Sequence, residues 1–278
     1  MASIKGKVVI VTGASSGIGA ATARHFGRAG ARIALVARRV EKLEALENEI
    51  NALGNGAEAE SIPADLSDLD AIQSMVGKTI DRFGHIDVLL NNAGFGRLKW
   101  LEEFDPVKDI EAQIRVNVLG VIQTTRQVLP HFIEQKSGHI INMCSMAGKV
   151  ATPTYTIYAA CKHAVHGFTE ALRREVGVWG IKVGAIYPGG VATEFSSHTS
   201  AQRKTGISTP KWMLLTADDV ANAVLRMVRS PHPERVLPGL QRVSIFLNRV
   251  TPWLVDRTTR NRFVIPEREE ELRAAGLL

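Results

Sequence analysis

The chain alternates short apolar runs with longer amphipathic stretches from residue 7 onward. Runs rich in β-branched residues predict strands, and stretches with apolar positions three and four apart predict helices. Seven strands are expected, at residues 7–12, 32–37, 57–62, 87–91, 138–144, 181–187 and, shorter, 235–237. Strands separated by helices are typical of a parallel sheet with helical crossovers. The expected fold class is therefore α/β, a doubly wound sheet with helices on both faces.

Helical patterns fill the intervals between these runs. Between residues 41 and 53 the apolar positions share one face, as in an amphipathic helix. Ser67, with Asp70 three residues later, resembles a capping box at the start of the next helix. No repeat or low-complexity linker interrupts the pattern, so residues 1–278 are expected to form one domain.

Composition and charge restrict the function classes. The chain has 45% hydrophobic and 22% charged residues, as ordinary globular proteins do. Its net charge of +6 is spread along the sequence, so no nucleic-acid partner is expected. No apolar run reaches the ~18 to 20 residues of a membrane span and residues 1–7 lack a secretory signal, so a cytoplasmic location is expected. The two cysteines, Cys144 and Cys161, show neither disulfide-framework nor zinc-ligand spacing.

A glycine-rich segment directly follows the first predicted strand. It reads Gly13-Ala-Ser-Ser-Gly17-Ile-Gly19 and runs into a helical pattern. Glycines let backbone N–H groups approach a diphosphate, and a helix N terminus offers unpaired donors and partial positive charge. The strand, turn and helix in succession favour a phosphate-binding turn, although a tight turn with small residues for packing has the same pattern.

Further motifs follow in a fixed order. Asn91-Asn92-Ala93-Gly94 ends the fourth strand, Ser145 follows the fifth strand, Tyr158 and Lys162 stand four apart on a predicted helix, and Pro188-Gly189 ends the sixth strand. With the Thr12-Gly13-x-x-x-Gly-x-Gly turn, this order over about residues 5 to 230 resembles the short-chain dehydrogenase/reductase family. The resemblance implies a Rossmann-type fold and hydride transfer between a nicotinamide dinucleotide and a carbonyl/alcohol pair.

The spacing of Tyr158 and Lys162 suggests proton-transfer chemistry. Residues four apart share a helix face, and a nearby ammonium favours the phenolate form of a tyrosine. Ser145 offers a hydroxyl that stabilises negative charge developing on a carbonyl oxygen. The resemblance gives Ser145 a role in positioning substrate, and it implies that Asn117 bends its helix and holds a water that links Lys162 to solvent. Taken alone, the tyrosine and lysine could also be an amphipathic pair with a snorkelling lysine.

No metal is expected in the site. His163 and His166 lie three apart on the same predicted helix, but no acidic third ligand stands nearby. They are interpreted as packing or surface histidines.

The residues after the second strand predict the cofactor. An acid at this position accepts hydrogen bonds from a free ribose 2′-OH, whereas arginine suits a 2′-phosphate. Arg38 and Arg39 stand here without an acid, which favours NADP(H), with Arg38 as first choice for the phosphate; alternatively, both arginines are solvated. The resemblance implies that Asp65 contacts the adenine of the cofactor, although Asp65 could equally cap a turn. It also implies that Thr193 and the backbone around Val191 hold the nicotinamide carboxamide.

The complete expected cofactor site is Gly13, Ser15, Ser16, Gly17, Ile18, Gly19, Arg38, Arg39, Asp65, Leu66, Asn92, Ala93, Gly94, Tyr158, Lys162, Pro188, Gly189, Val191 and Thr193.

The substrate end has less specific signals. Residues 189–216 are expected to form a lid, whose apolar members, such as Phe195 and Trp212, favour an apolar ketone, aldehyde or secondary alcohol. The tail at 240–278 carries apolar residues at helical spacing among arginines, and it departs from the ending of many relatives. It predicts either a helix packed at a subunit interface or pocket wall, or an amphipathic patch that touches membrane. A homo-oligomer, dimer or tetramer, is expected.

Two other functions compete with the carbonyl oxidoreductase. An epimerase or dehydratase on the same fold generally needs a larger C-terminal substrate domain than the chain has after Thr193. A redox sensor that binds NADP(H) without turnover has no need for Tyr158, Lys162 and Ser145 together.

Overall fold

The computed structural model describes residues 3–195, 205 and 209–278. At its centre is a parallel sheet in the order β3-β2-β1-β4-β5-β6-β7. The strands are β1 Val8–Thr12, β2 Arg32–Ala37, β3 Glu58–Pro63, β4 Val88–Asn91, β5 Gly138–Met143, β6 Ile181–Pro188 and β7 Glu234–Leu237. Each observed strand end lies within one residue of its predicted position. The doubly wound α/β fold is therefore confirmed.

Helices cover both faces of the sheet. They are α1 Gly17–Arg28, α2 Val40–Asn51, α3 Leu69–Phe83, α4 Val121–Gln135, α5 Thr156–Val176 and α6 Ala217–Arg229. The apolar side chains of α1, α2 and α6 form one core cluster with the sheet, and those of α3, α4 and α5 form a second. Because both faces are covered, the central strands β1 and β4 are buried at every position and read as continuous apolar runs.

The start of α3 differs from the prediction. Asp68, not Ser67, is the N-cap, and its carboxylate accepts a hydrogen bond from the backbone N–H of Asp70 at 2.9 Å. The Ser67 hydroxyl instead donates to Asp65 Oδ1 at 2.8 Å. The capping-box prediction at Ser67 was wrong because the neighbouring carboxylate of Asp65 binds that hydroxyl.

Three further helices form the tail, α7 Gln241–Val250, α8 Pro252–Thr259 and α9 Ile265–Ala274, with a π-helical turn Arg260–Val264 before α9. Within the described part of the chain, no helix is long and apolar enough to cross a bilayer.

The sheet order creates the place for a site. β1 lies between β2 on one side and β4 on the other, so the crossover connections leave in opposite directions at this point. In open α/β sheets, ligands bind in the crevice at the carboxyl ends of the strands where the order reverses. The glycine turn and the end of β4 lie at this crevice.

Candidate active site

Thr12 joins the two strands that border the crevice. Its side chain is buried, and its hydroxyl donates to the Leu90 carbonyl at 3.1 Å. The same oxygen accepts from the backbone N–H groups of Asn92 at 2.9 Å and Ala93 at 3.1 Å. Sequence reasoning did not assign this role to Thr12. The available signal was a hydroxyl at the end of an otherwise apolar strand.

The glycine turn packs directly on Asn92 and Ala93. Gly13 has φ of +68°, and a Cβ there would lie 2.9 Å from Ala93 Cα. A Cβ on Gly19 would overlap the Gly13 carbonyl oxygen and lie 2.7 Å from Asn92 Nδ2. Because glycine has no Cβ at these two positions, the turn can pack closely against the residues that follow β4.

The N terminus of α1 is left open to the crevice. Its N-cap Ser16 has extended backbone and no side-chain capping bond, and the first turn contains no acidic residue. The backbone N–H groups of Gly17, Ile18 and Gly19 have no acceptor within the helix at this end. Unpaired donors and the helix dipole together suit a bound diphosphate.

Tyr158 and Lys162 lie buried on one face of α5. The Tyr158 residue is 8% exposed and the Lys162 residue 4%. Lys162 Nζ lies 5.6 Å from the centroid of the Tyr158 ring and donates to the Met143 carbonyl at 2.9 Å. The ammonium is therefore held between the tyrosine and the end of β5.

Burial sets the ionisation of this pair. Removal from water raises the pKa of Tyr158 above its ordinary value, while a hydrogen bond with the Ser145 side chain acts in the opposite direction. Burial also lowers the pKa of Lys162. Tyr158 is therefore a protonated phenol next to the Ser145 hydroxyl, which is the form that can give a proton.

Ser145 is positioned by a short turn just after β5. It caps the 3-10 turn Met146–Gly148, and its hydroxyl accepts from the backbone N–H of Ala147 at 3.1 Å. This bond orients the Ser145 hydroxyl at the carboxyl edge of the sheet.

Asn117 lies where the helix before α4 departs from α geometry. It belongs to the π-helical turn Arg115–Gly120 and is fully buried. Its amide donates to the Phe95 carbonyl at 2.7 Å and accepts from the Phe95 N–H at 3.0 Å. A Cβ on Gly94 would lie 2.6 Å from Asn117 Oδ1 and 3.7 Å from Lys162 Nζ, so these three residues meet. A water link from Asn117 to Lys162 stays a prediction.

A group of cations lies at the start of α2. Arg39 Nε donates to the Ser15 hydroxyl at 3.2 Å. Arg39 and Lys42 both bind the carboxylate of Glu194, at 2.9 and 2.7 Å. Hydrogen bonds from Lys42 and then Arg39 lower the pKa of Glu194 to about 2.

Lys42 and Glu194 were not identified from the sequence. Lys42 stands three residues after Arg39, a spacing that places both on one helix face, and this was the available signal. No local signal exists for Glu194, because it is 155 residues from Arg39.

Arg38 and Asp65 face each other at the end of β2 and β3. The Arg38 side chain is 73% exposed, and its guanidinium lies 3.7 Å from Asp65 Oδ2. Asp65 also accepts from the Ser67 backbone N–H at 2.9 Å, so it caps the turn here, as one of the two interpretations held. Its contact with an adenine stays a prediction, as does that of Leu66.

The segment after β6 lies over the glycine turn. Gly189 donates its N–H to the Leu237 carbonyl at 2.7 Å, and Val191 pairs with Leu215. A Cβ on Gly17 would lie 3.4 Å from the Thr193 side chain. Thr193 therefore lies next to the N terminus of α1.

The base of the expected lid contacts the tyrosine. The Phe195 ring centroid lies 5.5 Å from that of Tyr158, and a Cβ on Gly96 would lie 3.0 Å from Phe195. Residues 196–204 and 206–208 of the expected lid lie outside the described residues. At its far end Trp212 is 74% exposed.

The two histidines of α5 have structural partners. His166 Nδ1 lies 2.7 Å from the Tyr187 hydroxyl, and His163 Nδ1 lies 2.9 Å from the Ala159 carbonyl. Among residues 3–195, 205 and 209–278, no group of His, Cys, Asp and Glu has an arrangement that could hold a metal ion. Cys144 and Cys161 are buried free thiols.

The sheet order and the open glycine turn define a Rossmann-type protein, and comparison with known proteins gives the family. The profile of the family described as short chain dehydrogenase matches residues 7–204. An uncharacterized oxidoreductase of Staphylococcus epidermidis is 35% identical over 232 residues, which cover 83% of this chain and 94% of that protein. This chain belongs to the short-chain dehydrogenase family of oxidoreductases.

Solved structures of the same fold hold different dinucleotides. A metagenomic short-chain oxidoreductase in complex with NADP is 35% identical, with a TM-score of 0.72 over 85% of this chain and 98% of that chain. A short-chain dehydrogenase/reductase from Burkholderia phymatum in complex with NAD is 25% identical, with a TM-score of 0.81 over 91% of this chain and 96% of that chain. The choice between the two cofactors therefore depends on the residues of this chain.

Proposed function

We propose that this protein is an NADP(H)-dependent oxidoreductase that interconverts an apolar ketone or aldehyde and its alcohol, with Tyr158 as proton donor and acceptor. The observation that carries the proposal is the grouping of the buried Tyr158 and Lys162 with the half-buried Ser145 at the carboxyl edge of the sheet. In the part of the chain that the structure describes, Lys162 binds a carbonyl and no carboxylate. A buried lysine of this kind is costly for stability, which favours a chemical role.

The residues around the crevice fit a nicotinamide dinucleotide. The uncapped N terminus of α1 suits its diphosphate, and the glycine turn leaves the backbone accessible. Thr193, beside Gly17, and the backbone of Val191 would hold the carboxamide end. When bound, the cofactor would supply or accept the hydride that Tyr158 and its neighbours cannot.

The chain's own residues manage the proton and the charge. In the reducing direction the Tyr158 hydroxyl gives its proton to the substrate oxygen, and the Ser145 hydroxyl donates a hydrogen bond to the same oxygen. The Lys162 ammonium stabilises the phenolate that remains, because opposite charges at short range lower a tyrosine pKa. In the oxidising direction the phenolate takes the alcohol proton back.

Four polar side chains support NADP(H) over NAD(H). Ser15, Arg38, Arg39 and Lys42 lie around the end of β2, and the residues that directly follow this strand are arginines rather than the acid that would bind a free 2′-OH. A phosphate dianion gains charge-assisted hydrogen bonds from such groups, whereas a hydroxyl gains little. Arg39 donates a hydrogen bond to Ser15 of the glycine turn, and Arg38 lies beside it at the end of β2. We therefore assign both arginines to the 2′-phosphate.

The surroundings of Tyr158 favour an apolar substrate. Phe195 and Tyr155 place aromatic rings within 5.5 and 6.0 Å of its ring centroid, and Gly96 adds no side chain. These aromatic rings lie next to the hydroxyl groups of Tyr158 and Ser145. Such a site suits a substrate with one polar oxygen on an apolar body.

The first prediction tests the tyrosine. NADPH consumption is measured with a panel of apolar ketones and aldehydes for the wild type, Tyr158→Phe and Tyr187→Phe. Loss of the proton donor should lower kcat by about 100-fold to 10,000-fold in Tyr158→Phe, while NADPH binding should weaken by no more than about 10-fold. Tyr187→Phe, which removes a tyrosine hydroxyl that pairs with His166 outside the proposed site, is the matched control and should keep near-wild-type kcat. NADPH binding without consumption by the wild type would instead favour a sensor.

The second prediction tests the cofactor. NADPH and NADH are titrated by fluorescence against the wild type, Arg38→Ala and Arg39→Ala. Each variant should bind NADPH about 10-fold or more weakly, because a charge-assisted hydrogen bond to phosphate contributes about 1.5–3 kcal/mol. NADH binding should be unchanged. Equal affinity for both cofactors in the wild type would contradict the assignment.

A further inference from the structure

The first two tail helices present their apolar side chains outward. Val243, Phe246, Leu247 and Val250 recur at helical spacing on α7 and are between 44% and 62% exposed. Trp253 on α8 is 64% exposed. A surface helix normally turns its apolar stripe to the core. On α7 the side chain that packs inward is Ile245, on the opposite face.

Arginines accompany this apolar stripe. Residues 240–264 contain five arginines, all exposed, and a single acid, Asp256. No described carboxylate forms an ion pair with any of the five. At 100° per residue, Arg242 and Arg249 lie together on one flank of the stripe, roughly 100° from its centre. The arginines are Arg242, Arg249, Arg257, Arg260 and Arg262.

A shallow groove lies on α8 and the π-helical turn that follows it. It is lined by Leu254, Arg257, Thr258, Asn261 and Arg262. Two guanidinium groups beside hydroxyl and amide donors match the chemistry of a phosphate headgroup, and the leucine adds an apolar wall.

The tail is held against the protein on both sides of this surface. Near its start Ile245 packs beside the core, and near its end the Arg268 guanidinium lies 3.8 Å from the Trp100 ring centroid. The Trp100 indole also donates to Glu271 at 2.8 Å. The outward face is thus presented by a docked structure.

We propose that the outward face of residues 242–262 binds the surface of an anionic lipid bilayer. Exposed Phe246 and Trp253 would enter the headgroup region, and the arginines would bind lipid phosphates, as in interfacial amphipathic helices. Charge complementarity selects this occupant, because a second copy docked through the same face would bring its arginines toward those of the first. The binding is peripheral and does not depend on the proposed catalytic activity.

The test is flotation of the full-length protein with vesicles of phosphatidylcholine alone or mixed with phosphatidylglycerol. The wild type should bind the anionic vesicles and release them at high salt. Phe246→Ser/Trp253→Ser should bind at least about 10-fold more weakly, since each side chain buries apolar area. Arg257→Gln/Arg262→Gln should bind about 30-fold more weakly, because each arginine near such a surface contributes ~1 kcal/mol.

Matched variants on other surfaces provide the controls. Trp179→Ser and Arg229→Gln remove an exposed tryptophan and an exposed arginine elsewhere and should leave vesicle binding unchanged. Sedimentation velocity is run on every variant. The proposal is overturned if the wild type binds neither vesicle, or binds both equally. It is also overturned if the wild type is a dimer that does not bind vesicles and Phe246→Ser/Trp253→Ser sediments as a monomer. The outward face would then be an interface between two copies of the chain.

Discussion

At the scale of single residues, Glu194 has the most direct consequence for the proposed cofactor. Its carboxylate engages Arg39 and Lys42, two of the cations assigned to the 2′-phosphate. With its pKa lowered to about 2 it stays charged at all physiological pH values. A bound phosphate and this carboxylate would therefore compete for the same donors.

The third prediction follows from that competition. Glu194→Gln should bind NADPH about 10-fold more tightly, because the phosphate no longer displaces a carboxylate from its cations. NADH binding should stay the same, and the effect should not vary across the neutral pH range. Glu41→Gln, which removes an exposed acid from the first turn of α2, is the control. Weaker NADPH binding in Glu194→Gln would mean that the acid closes over the cofactor.

At the scale of the elements, strand β5, which lies between β4 and β6, carries a buried histidine. His139 is 7% exposed, and burial, with the nearby charges of Lys182 and Lys7, lowers its pKa to about 4. Among residues 3–195, 205 and 209–278, its Nε2 atom has no hydrogen-bond partner. The folded protein therefore holds the neutral form, whereas the unfolded chain takes up a proton near the ordinary pKa of 6.5.

The fourth prediction is a loss of stability in acid. Because the folded pKa of His139 is depressed, its contribution is complete above pH 6.5 and is lost as pH falls toward 4. At about pH 5 the free energy of unfolding should be about 2 kcal/mol lower than at neutral pH through this residue. Urea unfolding of the wild type and His139→Leu at both pH values measures the difference. An equal pH dependence in the variant would contradict the assignment.

At the scale of the whole molecule, the tail is joined to the loop that follows β4. Arg268 stacks on Trp100 and pairs with Glu102 at 2.6 Å. The loop that carries Trp100 begins at the residues that contact Asn117 and Tyr158. The end of the chain thus supports the segment that borders the proposed substrate site.

The fifth prediction concerns this attachment. Arg268→Gln removes the cation from the Trp100 ring and should raise amide hydrogen exchange in residues 265–278 by about 10-fold, since such contacts contribute about 0.5–2 kcal/mol. Exchange in the central strands should not change. Arg273→Gln, whose ion pair with Glu269 lies within α9, is the matched control. Unchanged exchange at the tail would show that other contacts hold it.

The amino-acid sequence alone determined the sheet and the reactive residue types. Central strands such as β1 and β4, which are buried on both faces, are continuous apolar runs, so their positions could be predicted to within a residue. The four-residue spacing of Tyr158 and Lys162 is itself enough to place them on one helix face. The motif residues at the ends of β1, β4 and β6 meet because carboxyl ends of parallel strands share one edge.

Tertiary structure decided what local patterns do not encode. The hydroxyl of Thr12 meets Asn92 and Ala93, and Glu194 meets Arg39, only because the strand order and the path of the loop bring distant segments together. The capping of α3 depended on which hydroxyl the Asp65 carboxylate bound. The tail showed the same limit: periodicity predicts an apolar stripe, but only packing decides whether it turns inward or outward. In α7 the contact of Ile245 with the core turned it outward.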